Sequence, residues 1–201
     1  MMKIIFLFLI FSASVLSCGQ RGQDSKEERD DLIIRVETLE SGLSENERAF
    51  LDNLAGLCGK SFRGKETFIA PGRESWADKD FKMHVTVCED DRVYIPFHLD
   101  DDHSRTWMFL AKDQGLRFRH DHRHDDGTPE DLTMYGGYAD GAGTEFMQKF
   151  PADDYTVELL EDIFNREWRV ILAEDLSTLE YQLLYHGEVV FAAEFDLTSP
   201  L

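Results

Sequence analysis

Residues 117–131 read RFRHDHRHDDGTPED, in which His120, His122 and His124 recur at every second position. Alternate side chains of an extended strand point to one face. Leu116, Phe118 and the three imidazoles would therefore share one side of such a strand, and Arg117, Arg119, Asp121 and Arg123 the other. Same-face neighbours stand about 7 Å apart, close enough for two imidazole nitrogens to meet one ion at about 2.0–2.1 Å. Either His120 with His122, or His122 with His124, is thus a candidate pair for zinc or another divalent transition metal, which would lower the pKa of a bound water. A third ligand would come from another strand, with His84, His98, His103 and Glu66 available. The competing reading ends the strand near His120 and leaves DHRHDDG as a solvated hairpin tip, its histidines paired with nearby aspartates. Asp126 and Gly127 favour a turn, and Pro129 blocks a central strand. Such histidines signal metal affinity far more than catalysis, and the sequence assigns no catalytic residue.

The remaining chemistry-bearing residue types are weaker signals. Asp125, Asp126, Glu130 and Asp131 crowd one acidic loop that lacks the EF-hand pattern and holds calcium only as any such loop does. The glycine-rich YGGYADGAG, residues 135–143, has neither the Lys-Ser/Thr ending nor the following helix of a nucleotide loop. Its glycines fit tight turns or close backbone approach. No Gly-x-Ser-x-Gly elbow, His-Glu-x-x-His helix or Cys-x-x-Cys pair occurs, which argues against the familiar serine and zincin hydrolases. Trp76, Trp107 and Trp168 are candidates to line a ligand cavity or, as buried aromatics more often do, to fill a core.

The elements that must position these residues are mostly strands. SENERAFLDNLAGLCG opens with Ser44 three residues ahead of Glu47, a capping-box spacing, and sets Phe50, Leu51 and Leu54 on one side of a helix that Gly56 or Gly59 would end. Beyond Gly59 the pattern turns to alternation. Strands are expected from Ser61, Phe81, Arg92, Thr106, Leu116, Asp131 and Thr144, and then in EWRVILAED, TLEYQLLYHG and EVVFAAEFDL, the last two joined by a tight turn at His186 and Gly187. One interruption, PADDYTVELLED, reads as a short helix near 153–162 capped by Asp153 or Asp154. Short strands joined by turns predict a mainly β fold, an antiparallel meander of 8–10 strands closed as a barrel so as to hide its edges.

Ahead of the domain, Lys3 precedes an apolar and small-residue run from Ile4 to Ser17, the layout of a secretory signal. The stretch VLSC resembles a bacterial lipobox, which implies loss of residues 1–17 and diacylation of Cys18, the alternative being a free thiol after an ordinary signal. In lipoproteins of this kind Gly19, which is not Asp, implies an outer-membrane anchor facing the periplasm or the exterior. Residues 18–43 read as an acidic flexible tether, and 44–201 as a single domain. An exported chain with two further cysteines, Cys58 and Cys88, is read first as carrying a disulfide, with a thiolate metal site as the minor alternative. The formal charge of −19 opposes binding to nucleic acid, while hydrophobic residues at 42% call for a packed core.

The order of parts over 47–201 resembles the calycin group, the lipocalins and fatty-acid-binding proteins. In motif the likeness rests on LAGLCGKSFRG, similar to the Gly-x-Trp region opening a lipocalin's first strand, with Cys58 standing where the tryptophan would be. The resemblance implies a membrane-tethered binding protein holding a small apolar or amphipathic ligand in a barrel. The alternatives are a metal-binding protein or metal-dependent enzyme built on His120, His122 and His124, and a structural or interaction lipoprotein with a filled barrel.

Overall fold

The structure, a computed structural model, describes residues 42–201. The expected signal sequence, Cys18 and the expected tether as far as residue 41 lie outside the described residues. Leu43, which the composition groups with the expected tether, is 2% exposed and belongs to the core.

Helix α1, Glu45–Ala55, begins at the expected capping box, with Glu47 N–H donating to Ser44 Oγ (3.2 Å) and Ser44 N–H to Glu47 Oε2 (2.7 Å). Glu47 is itself buried, and its other carboxylate oxygen accepts from Leu116 N–H at 3.3 Å, tying the helix start to the barrel wall. Phe50, Leu51 and Leu54 point into the barrel and close one end, and Gly56 caps the helix. The plug is thus a helix face rather than a single tryptophan.

The strands are β1 (Ser61–Ile69), β2 (Phe81–His84), β3 (Val87–Glu89), β4 (Arg92–Leu99), β5 (Asp102–Lys112), β6 (Gly115–His122), β7 (Tyr135–Tyr138), β8 (Met147–Pro151), β9 (Glu167–Leu172), β10 (Thr178–Tyr185) and β11 (Glu188–Asp196). Ten of them form one antiparallel path, β7-β6-β5-β4-β2-β1-β11-β10-β9-β8, and β3 pairs only with β4. Apart from that side strand, sequence neighbours are spatial neighbours, and the last strand returns to the first through Gly64↔Phe195 and the pairs that follow. The barrel is closed except at one seam. There β7 and β8 exchange no ladder, and the backbone hydrogen bonds across it among the described residues are Asp140 N–H to Lys149 O (3.0 Å) and Asp153 N–H to Gly136 O (3.1 Å).

Several strand limits differ from the alternation pattern. The run from Phe81 breaks after His84, because Val85 turns into the core and bonds Lys60 through its N–H (2.9 Å). β7 starts at Tyr135 rather than Asp131, since Met134 takes a positive φ of 59°. β8 starts at Met147, after Thr144 and Met147 form a bridged turn. The His186–Gly187 turn has φ of 50° and 84°, the left-handed pair that a two-residue hairpin needs.

The interior is filled. Phe62, Phe81, Phe109, Phe118, Phe150 and Phe195 are fully buried. Stacked rings run across it, with Phe97 on Trp107 (centroids 4.8 Å) and Trp107 on Tyr181 (4.7 Å). Trp107 and Trp168 are core residues, 2% and 1% exposed, and the disulfide Cys58–Cys88 joins the end of the plug to β3.

Candidate functional site

β6 carries the histidine face from the plug to the opposite mouth. Leu116 and Phe118 are fully buried, His120 is 3% exposed, and His122, the last residue of the strand, is half-buried. Arg123 then leaves the ladder for an isolated bridge to Pro129, and His124 sits exposed in the tip, its N–H on Thr128 O (2.9 Å). The strand therefore ends between the two limits the sequence allowed. It brings His120 and His122 to one face and leaves His124 outside it.

Each inward histidine is engaged by a tyrosine. His120 Nδ1 lies 3.3 Å from Tyr135 O, and since a carbonyl only accepts, Nδ1 carries the proton and Nε2 accepts from the Tyr181 hydroxyl at 3.0 Å. His122 Nε2 meets the Tyr135 hydroxyl at 2.9 Å, while its Nδ1 faces Glu130 at 3.8 Å. Burial drives the His120 pKa well below its ordinary value, with His122 adding to the effect. Burial and then Arg105 lower His122 as well. Burial pushes the Tyr135 hydroxyl up to about 12 and Tyr181 well above its usual range, so both stay protonated. The group is a set of neutral rings joined by hydrogen bonds, with no ionised base. Among the described residues, no group of three or more His, Cys, Asp or Glu side chains is already arranged to hold a metal ion. Glu66 is engaged elsewhere, accepting from Asp78 N–H at 3.0 Å.

Around this mouth stand three arginines that the histidine pattern does not reveal. Arg105 is paired across the sheet with His122 and lies over the Trp76 ring at 5.7 Å. Arg73 and Arg166 both lie over the Tyr185 ring, their guanidinium carbons 4.6 and 5.0 Å from its centroid. Both Arg105 and Arg166 act electrostatically on Tyr135 and Tyr181, which places them about one polar centre. Their own carboxylate partners are Asp102 (2.5 Å from Arg105) and Asp162 (3.5 Å from Arg166). Among the described residues Arg73 meets the Tyr185 hydroxyl and no carboxylate, and the buried Arg166 Nε has no hydrogen-bond acceptor. The signal for two of them is a repeated dipeptide spacing. RTW and REW each set an arginine two residues before a tryptophan, Trp107 or Trp168, that is buried inside the barrel. Apolar surface adjoins the arginines, with Trp76 edge-on to Phe191 (4.9 Å) and Phe164 stacked on Tyr185 (4.7 Å).

The suspected third ligands lie together on a different surface. His84, His98 and His103 gather on the outer wall, where His84 Nε2 is 3.1 Å from His98 Nδ1 and the His98 and His103 rings stack at 3.8 Å. The acidic residues Asp102, Asp125, Asp126 and Glu130 line an open polar groove with His103 and His124. Asp131 is exposed outside that lining.

The site belongs to an antiparallel meander barrel, stoppered at one end by a helix and polar at the other. No family model matches the chain, and no curated protein or solved structure matches it.

Proposed function

We propose that the chain is a lipoprotein of the bacterial outer membrane, anchored through acylated Cys18, whose barrel mouth receives the acidic head of a small amphipathic ligand. The observation that carries this reading is the convergence of Arg73, Arg105 and Arg166 on one rim of a chain with formal charge −19. Cations held inward beside neutral tyrosines and histidines favour an anionic group over water, more strongly there than on an open surface. The ring-filled interior leaves the apolar part of a ligand to lie against Trp76 and Phe164 at the mouth. The same filled interior favours a second reading, an interaction lipoprotein that takes up no small molecule.

Three measurements test the proposal. Cys18→Ser should move the protein from the membrane fraction to the soluble fraction and remove the mass of the acyl chains. Native mass spectrometry and solvent extraction of the detergent-solubilised protein should yield an acidic amphiphile. A titration with a fluorescent anionic amphiphile should saturate and weaken at least tenfold, about 1.4 kcal/mol, in Arg105→Gln/Arg166→Gln. A protein that yields no organic ligand and gives no saturable titration would establish the second reading instead.

A further inference from the structure

We propose that His84, His98 and His103, on the outer wall of the barrel, form a binding site for a divalent transition-metal ion of the imidazole-preferring class, Zn(II), Cu(II) or Ni(II). The three come from neighbouring strands. His84 ends β2, His98 is on β4 directly across from Lys82, and His103 opens β5 beyond a register shift between Phe97 and Leu99. That shift is what swings His103 onto His98, where a regular ladder would have carried it past.

The facing nitrogens of His84 and His98 already stand at the separation of two ligands on one ion. Ser61 Oγ holds His84 Nδ1 at 2.7 Å, which fixes the ring and directs Nε2 at its neighbour. Second-side hydrogen bonds of this kind are how proteins orient a ligating imidazole. The 3.1 Å between His84 Nε2 and His98 Nδ1 falls within the span of about 2.9–3.4 Å that two nitrogens take on one ion, from right-angled to tetrahedral arrangements. An ion there would replace the single proton that the two nitrogens share. His103 completes the set only after its ring turns out of the stack on His98. It is exposed, so the rotation moves one free side chain and no backbone. Lys82, a cation that acts on both His84 and His98, is drawn aside by Asp80 at 2.7 Å, and Asp102, the partner of Arg105, also acts on His98 with the opposite sign. A shallow groove lined by Ser61, His84, Pro96 and His98 keeps one side of the pair open to solvent.

The test uses the full chain without a histidine tag, titrated with Zn(II), Cu(II) and Ni(II) by calorimetry. Histidine ring resonances should report which imidazoles respond. One equivalent is expected to bind and to perturb His84, His98 and His103. His98→Gln should weaken it at least about tenfold. His124→Gln, which alters the other exposed histidine near the acidic groove, should leave it unchanged. Circular dichroism of each variant separates a lost site from a lost fold. No saturable uptake, equal affinity in His98→Gln, or an equal loss in His124→Gln would each overturn the proposal.

Discussion

His120 is a weak base sealed inside a barrel, and that has a consequence for stability. Its ring is hydrogen-bonded as the neutral form by Tyr181 and the Tyr135 carbonyl, and burial, His122, Arg119 and Arg105 all oppose a proton on it. Unfolding releases the ring to an ordinary pKa of 6.5, so below that pH the unfolded chain binds a proton that the folded chain refuses. Stability is then fully present above about pH 6.5 and declines as pH falls, by at most about 1.4 kcal/mol per pH unit for one such group. His122, shifted in the same direction by burial and Arg105, adds to the slope. Denaturation midpoints measured between pH 7.5 and 5.5 should fall, and His120→Gln should flatten the fall whatever it does to the midpoint at pH 7.5. An unchanged slope in that variant would remove His120 from the account. At the same scale Arg119 illustrates a buried charge with a named partner. It is 2% exposed beneath helix α2 (Asp154–Leu159), paired with Asp153, which also caps that helix through Thr156 N–H. Asp153→Ala strands the guanidinium without its counter-charge and should cost about 3–5 kcal/mol in a urea melt.

The seam between β7 and β8 is where element-scale geometry decides the fold. Gly137 lies so close to the facing strand that a Cβ built on it would sit 1.7 Å from Pro151 O, and one on Gly136 would sit 2.1 Å from Phe118 O. Both contacts are to backbone, which has no rotamer to yield, and Gly136 also has a φ of 149°. Thr156 clamps the same place, its hydroxyl donating to Gly136 O (2.7 Å) and accepting from Gly136 N–H (2.8 Å). Gly137→Ala should therefore part the seam and lower stability by about 3 kcal/mol, the upper range of overpacking. Faster amide exchange at Asp140 and Asp153 than in the β5–β6 ladder would localise the damage. The glycine pair was legible in the sequence as a site of close backbone approach, and the capping box at Ser44 and Glu47 and the Asp153 cap were legible as local motifs. So were the antiparallel strands, because alternation is a local signal. The mouth was not. Arg73 lies in a loop, Arg105 on β5 and Arg166 just before β9, and only the closure of the sheet brings them together. The histidine run was half legible. Its alternation gives the shared face of His120 and His122, but the point at which β6 stops depends on the Arg123 bridge to Pro129, which alternation does not encode.

At the scale of the whole molecule, the barrel closes through its last strand but keeps a side strand and a plug that the main ladder does not hold. β3 is three residues long and pairs only with β4, and α1 seats through Phe50, Leu51 and Leu54. The Cys58–Cys88 disulfide ties the chain just beyond the plug to that short strand across a separation of 30 residues. Closing a loop of this length in the unfolded chain stabilises the fold by roughly 3–4 kcal/mol in the chain-entropy model. The ring stack from Phe97 through Trp107 to Tyr181 is built from β4, β5 and β10, and neither cysteine lies on any of these strands. Cys58→Ser/Cys88→Ser should therefore melt roughly 6–16 °C below the parent, at about 2–4 °C per kcal/mol for a chain of this size, while its near-ultraviolet dichroism at 20 °C keeps the signature of the packed aromatic stack. Loss of that signature at 20 °C would mean that the plug and β3 hold the barrel together rather than complete it, and an unchanged melting temperature would mean that the plug needs no staple.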